Sequence, residues 1–253
     1  MRVLAVDAAT EACSVALLSG DEVIGRCAEG GKSHAQQVLS MVEAVLAEAQ
    51  VSLSMLDGIA ASIGPGAFTG VRIGVAVAQG LAFGAGLRVA AVTTLEALAF
   101  QVMRRGAARA LACLDARMGE VYWGCFAADS HRGLVASSAA RVGPPATVVP
   151  PEFTVPPEGM ELPQNRVLPQ GMVLPLPGIY RGIGRGFAAY PMLAAVPGVE
   201  LDSTDGQALP NAREFARLGA IRLGLGEGLD PADLIPLYLR DKVALTEAER
   251  GVK

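Results

Sequence analysis

The sequence predicts a mixed α/β protein made of two similar halves. Short apolar runs alternate with amphipathic helical stretches through the first 105 residues. An apolar strand ending in Asp, a tight turn and a returning strand occur twice, as VLAVDAATEACSVALL and ALACLDARMGEVYWGCF, with Asp7 and Asp115 at equivalent points. The chain has 253 residues, 51% of them hydrophobic, enough to bury a sizeable core in one large domain or two modest ones.

Taken in order, RVLAVDA, CSVALLSG and EVIGRCAEG read as a three-strand meander. In HAQQVLSMVEAVLAEAQ, Val38, Val42, Val45, Leu46 and Ala49 recur at three- and four-residue steps, the pattern of a helix with one apolar face. A strand, GIAASI, then enters SIGPGAFTGVRIG, where Gly64, Pro65 and Gly66 shape a sharp turn and Thr69 is expected to cap a helix from about Gly70 to Ala85. RVAAV reads as a strand and the stretch from about Thr94 to Arg104 as a helix. After the second Asp hairpin, the proline-dense run from Pro144 to Pro177 cannot sustain a helix and reads as a surface insertion. GIYRGIGRGFAAYPMLAA follows as strand, glycine turn and helix, then NAREFARLGAIRLGL as an amphipathic helix before the tail LIPLYLRDKVALTEAER. The expected division is an N-terminal lobe over 1–105 and a C-terminal lobe over 106–253, with the insertion at about 144–178.

Several classes of function are disfavoured. Only four apolar residues precede Asp7 after Arg2, too few for a secretory signal, and the apolar stretch between Arg72 and Arg88 is interrupted by Gln79 and glycines, so a cytoplasmic protein is expected with no membrane contact. Cys13, Cys27, Cys113 and Cys125 lack C-x-x-C spacing and read as reduced core residues. With a net charge of −4 and three lysines, the chain lacks the basic stripe that nucleic-acid phosphates require.

The glycine-rich stretch does not match the known phosphate loops. Three residues, where a Walker loop has four, separate Gly66 from Gly70, and Val71 stands where its lysine belongs. Thr69 takes the third glycine position of a dinucleotide fingerprint, and Ala90 lies where its ribose-binding acid belongs. The D-A-A-T turn at Asp7 to Thr10 is similar to the D-x-G-T hairpin of actin-like and sugar-kinase ATPases, with Ala9 in place of the glycine, so its Cβ would crowd a phosphate. Asp115 reads as a second hairpin acid. His34 has Val38 rather than a second ligand one turn on, and His131 stands alone, so no metal is expected.

The combination of VDAATEACSVAL, SHAQQVLSMVEAVL, SIGPGAFTGVRIGVAVAQGLAF, VTTLEALAF, LDARMGEVY and a final LYLRD resembles the TsaB family. These are YeaZ-like, glycoprotease-homologue proteins of bacterial tRNA threonylcarbamoyladenosine biosynthesis. The resemblance implies an actin-like (ASKHA) two-lobed fold with duplicated ribonuclease-H-like mixed sheets flanked by helices. It also implies a non-catalytic scaffold, without a cofactor, that binds and activates the sister protein TsaD in modifying the adenosine beside the anticodon. TsaE joins a larger complex, the chain self-associates when alone, and tRNA is met only indirectly. The family uses its N-terminal helices for association, which assigns partner binding to His34, Gln37, Met41, Ala44, Arg72, Gly74 and Ala78. Of these, Met41 is expected on the exposed surface because it lies away from the Val38/Val42/Val45 stripe, and Ala78 because small residues run along the second helix. Asp7, Thr10 and Asp115 would mark a vestigial nucleotide cleft. The alternative is a stand-alone ATPase or kinase-like enzyme of the same fold.

Overall fold

The computed structural model describes residues 1–30, 34–151 and 179–240. The expected proline insertion therefore lies outside the described residues from position 152 on, as does the tail beyond Arg240.

Strands β1 (Arg2–Asp7), β2 (Ala12–Ser19) and β3 (Glu22–Glu29) form an antiparallel meander. Helix α1 (His34–Ala49) leads to β4 (Gly58–Ser62), parallel to β1, and α2 (Phe68–Ala85) leads to β5 (Val89–Val92), parallel to β4. Helix α3 (Thr94–Met103) starts from a capping box of Thr93 and Glu96 and leads into the second half. There β6 (Arg109–Arg117), β7 (Glu120–Asp129) and β8 (Gly133–Ala136) repeat the meander, and β9 (Arg141–Gly143) also pairs with β7. Strand β10 (Tyr180–Ile183) runs parallel to β6, α4 (Gly186–Ala189) follows, and β11 (Val199–Leu201) pairs parallel to β10 before α5 (Ala212–Gly224).

The sheet orders are β3-β2-β1-β4-β5 and β8-β7-β6-β10-β11. Each is a meander whose first strand continues into two parallel strands, so the repeat seen in the Asp hairpins extends to whole sheets. This is the duplicated mixed α/β arrangement of the actin-like class.

Side-chain alternation along the central strands sorts the helices into layers. Val3, Ala5 and Ala60 face inward, where α3 and α5 lie between the two sheets and form the main core with Ala110, Ala112 and Phe126. Leu4, Val6, Ile59 and Ala61 face outward, under α1 and α2. Strands buried on both faces read as nearly unbroken apolar runs for this reason. Cys113, Trp123, Tyr180, Phe187 and Leu193 fill the outer face of the second sheet.

Three local expectations are corrected. Helix α2 begins at Phe68 with Ala67 at its N-cap and no side-chain cap, so Thr69 lies exposed within the first turn. The Ala67 N–H is instead taken by the Ala9 carbonyl at 2.7 Å. Helix α4 is only four residues long, because Pro191 ends it and the chain continues as a 3-10 turn. Cys27 is exposed, since β3 is an edge strand, while the other three cysteines are buried and all four are free. Helix α2 is long and apolar enough to cross a membrane by length and composition. Here Val71, Val75, Ala78 and Ala82 bury one side of it in the protein's own core.

The glycines of α2 divide by what they face. A Cβ at Gly70 would overlap the Ala8 carbonyl, whereas Gly80 and Gly84 face open space. Gly70→Ala is expected to destabilise by about 1–3 kcal/mol through overpacking. Gly80→Ala should instead stabilise by up to about 1 kcal/mol through helix propensity. Denaturant midpoints moving in opposite directions check this; a Gly70→Ala midpoint equal to or above that of the parent protein would remove the close approach from the account.

Candidate functional site

The D-A-A-T turn between β1 and β2 sits beneath the starts of two helices. His34 Nδ1, in the first turn of α1, lies 3.1 Å from the Ala8 carbonyl oxygen. The start of α2 covers the other side, where side chains at Gly66 or Gly70 would overlap the Ala9 or Ala8 carbonyl. Gly64 has φ +96°, which favours glycine, and its carbonyl accepts from the Thr94 N–H at 2.9 Å. Thr94 Oγ1 donates to the Pro65 carbonyl at 2.5 Å, fastening the turn to α3. Gly64, Pro65, Gly66 and Gly70 thus seat the protein's own helix on the hairpin backbone.

Asp7 is fully buried, and Oδ1 accepts from the Ala9 N–H at 3.1 Å. Burial pushes its carboxyl up to about 6, against the opposing pull of the Ala9 N–H, the neighbouring Ser62 hydroxyl and His34. Its Oδ2 and the Thr10 hydroxyl are buried with no hydrogen bond among the described residues. Asp115 behaves differently: it is half-buried, and its Oδ1 accepts from the Arg117 N–H at 2.8 Å and from the Tyr190 hydroxyl at 3.3 Å. Its Oδ2 pairs with the Arg117 guanidinium at 2.9 Å.

A cleft of about 420 Å³ separates the two Asp hairpins, with Thr10 and Asp115 on its lining, while Asp7 is not part of that lining. Arg117 reaches across to Glu11 at 2.9 Å, Arg185 pairs with Glu29 at 2.6 Å, and Arg240 pairs with Glu120. Each arginine on the lining therefore has a carboxylate partner, and among the described residues no unpaired cation lines the cleft for a polyphosphate. Residues 231–240 strap the first lobe to this cleft. The Gln79 amide donates to the carbonyls of Pro231 and Leu234, and the Leu237 N–H donates to that of Ile63 at 2.7 Å. Among the described residues no group of three or more His, Cys, Asp and Glu side chains is placed to hold a metal.

The outer helices present a different surface. In α1 the Val38, Val42 and Val45 stripe is buried, His34 and Gln37 are half-buried, and Ala44 is exposed. Met41 packs against the core rather than standing free, which corrects the expectation that it is surface-exposed. The same correction applies to Ala78, 0% exposed in the cluster formed with Ile59, Ala61, Ala82 and Leu234; Gly74, assigned to partner binding, is buried beside Ala8. Their small size lets α2 approach its own sheet and hairpin. The exposed side of α2 carries Thr69, Arg72, Ala76, Gly80, Phe83 and Gly84.

Sequence reasoning missed Leu39 and Phe83, 49% and 61% exposed, on the outward faces of α1 and α2. Counting helical steps from Arg72 to Ala76, Gly80 and Phe83 would have found the α2 face once the buried Val71/Val75 side was known. It also missed Phe68 and Tyr238, which flank Arg72 with ring centroids 5.5 Å apart. No local signal links Tyr238 to a helix 166 positions upstream.

The family model TsaD, described as tRNA N6-adenosine threonylcarbamoyltransferase, matches residues 28–136. TsaB of Escherichia coli (strain K12), named as a tRNA threonylcarbamoyladenosine biosynthesis protein, is 36% identical over 246 residues, covering 96% of each chain. TsaB of Haemophilus influenzae is 42% identical over 124 residues, 49% of this chain and 52% of that one. YeaZ from Pseudomonas aeruginosa superposes with a TM-score of 0.75 at 36% identity, covering 94% of this chain and 99% of that one. Identity of that order over nearly the full length of both chains, on a shared fold, makes this protein a member of the TsaB family.

Proposed function

We propose that the protein is a non-catalytic subunit of tRNA threonylcarbamoyladenosine biosynthesis that binds TsaD through the outward faces of α1 and α2 and activates it. The names of its relatives support the pathway, and the TsaD model match supports kinship with the partner. The observation that carries the scaffold reading is the outward face itself. Leu39 and Ala44 on α1 and Ala76, Gly80 and Phe83 on α2 are exposed, and Arg72 is the sole charge on α2. A face of mixed apolar and small side chains suits a partner's helices. The same face serves self-association when TsaD is absent; TsaE joins through the larger complex, and tRNA is met indirectly.

The stand-alone ATPase reading is weaker on this geometry. The hairpin turn is occupied by the start of α2, and the cleft arginines are already paired. Purified protein is expected to show no ATP turnover and no stoichiometric metal by elemental analysis. Turnover that disappears in Asp115→Asn would restore the enzyme reading.

Ala44→Glu and Gly80→Glu place a charge on exposed positions, and a side chain at Gly80 meets nothing within 4 Å. Both are expected to abolish co-purification with the cognate TsaD and its tRNA threonylcarbamoylation, while neither loses more than roughly 0.5 kcal/mol of stability. Variants that bind and support modification normally would contradict the docking assignment.

Asp7 gives a separate check. Its folded pKa, about 6, lies above the ordinary 3.8, so the stability it contributes is full below about pH 3.8 and is lost as pH rises through about 6. At pH 7 the buried carboxylate costs roughly 3 kcal/mol, at 1.36 kcal/mol per pH unit. Asp7→Asn should flatten that pH dependence, raise stability at neutral pH by on the order of 1–3 kcal/mol, and leave tRNA modification intact. Loss of modification in a folded Asp7→Asn protein would move the functional site into the cleft.

A further inference from the structure

Arg72 is held unusually well for an exposed arginine. Its guanidinium lies 3.8 Å from the centroid of the Phe68 ring and 5.8 Å from that of Tyr238, and its Nε donates to the Tyr238 hydroxyl at 2.8 Å. These contacts engage the guanidinium plane and the Nε–H, and among the described residues the terminal Nη groups make no hydrogen bond. No carboxylate pairs with Arg72 among the described residues, in contrast to Arg117, Arg185 and Arg240 on the nearby cleft. Phe68 and Tyr238 are themselves 39% and 47% exposed and border the cleft, so the cluster is an aromatic platform carrying one oriented cation that has no carboxylate partner among the described residues.

We infer that the Phe68–Arg72–Tyr238 cluster is the charge-reading element of the docking surface, and that it receives a side-chain carboxylate of TsaD. The inference rests on the docking reading above and adds the chemistry of the partner group. A guanidinium fork matches a carboxylate through two parallel N–H donors, and immobilising it beforehand lowers the entropy lost on binding. Its position continues the exposed side of α2 along Ala76, Gly80 and Phe83, which supply no second cation. A nucleic-acid backbone draws its affinity from several neutralised phosphates, and a single cation on a chain of net charge −4 does not provide that. A protein carboxylate surrounded by apolar contacts is the acceptor that fits.

Tyr238 acts in this scheme as a positioning residue. It belongs to the 231–240 strap, which is tied to α2 through Gln79 and to the second lobe through Arg240 and Glu120. The strap therefore connects the lobe interface to the orientation of Arg72.

Isothermal titration of the full-length protein against TsaD from the same organism, at low and moderate salt, tests this. Arg72→Gln is expected to weaken binding by about tenfold or more and to reduce its salt dependence. Arg72→Lys should restore only part of the affinity, because an ammonium lacks the planar fork. Tyr238→Phe, which removes only the hydroxyl, should give an intermediate loss with the thermal midpoint unchanged. If Arg72→Gln and Tyr238→Phe bind like the parent protein while Gly80→Glu does not bind, the carboxylate contact is overturned and the docking face stands. If Arg72→Gln keeps its TsaD affinity but loses retention of tRNA, the acceptor is a phosphate and the inference fails. If the parent protein does not bind TsaD, the docking reading fails and this inference falls with it.

Discussion

The arrangement of the N-terminal lobe depends on one backbone approach, that of the α2 start to the Ala8–Ala9 turn. Gly66 and Gly70 permit it, because a side chain at either position would overlap a hairpin carbonyl. Once Ala67 N–H and Ala9 O have met, the axis of α2 is set over β1 and β4, and Val71, Val75 and Ala78 must face the sheet. His34 brings α1 to the same turn, and Thr94 ties α3 to Pro65 and Gly64. Two helices thus take their positions from the Ala8–Ala9 turn, and α3 is fastened to the neighbouring Gly64–Pro65 turn. The contact also decides where chemistry is available: the hairpin backbone is covered by the protein's own chain, while the opposite sides of α1 and α2 remain open.

Charge is distributed in keeping with that division. The ion pairs at the cleft join segments from different parts of the fold, as Arg117 with Glu11 does. With side chains 70% and 41% exposed, that pair contributes on the order of 0–1 kcal/mol, so its role is to fix alignment more than to stabilise. Arg72, outside the cleft, has an aromatic platform and a hydroxyl in place of a carboxylate. The two Asp hairpins have diverged in the same sense. Asp115 is satisfied by its own turn and by Tyr190, whereas Asp7 is buried with its carboxyl raised, a cost carried by the core.

Much of the fold could be read from the residues, because two-sided burial writes unbroken apolar runs into β1, β4 and β6, and because the Asp hairpin occurs twice. The Val38/Val42/Val45 stripe likewise specified the inner side of α1. The sides of α2 could not be read in this way. Glycine and alanine occur on both its faces, and size alone does not distinguish close approach to one's own sheet from openness to solvent, which is why Ala78 was misplaced. Thr69 reads as a cap from sequence because no local signal shows that a carbonyl nearly 60 positions upstream takes the Ala67 N–H. The burial of Asp7 and the pairing of Tyr238 with Arg72 have the same origin: each is set by tertiary neighbours distant in sequence.

If function resides on the helices and not in the cleft, amide hydrogen exchange of the protein with and without TsaD will show it: exchange slows in α1, α2 and the strap at 231–240 on complex formation, and residues 8–11 and 115–120 are unchanged. Protection concentrated at those two hairpins, with α1 and α2 exchanging as in the free protein, would contradict it.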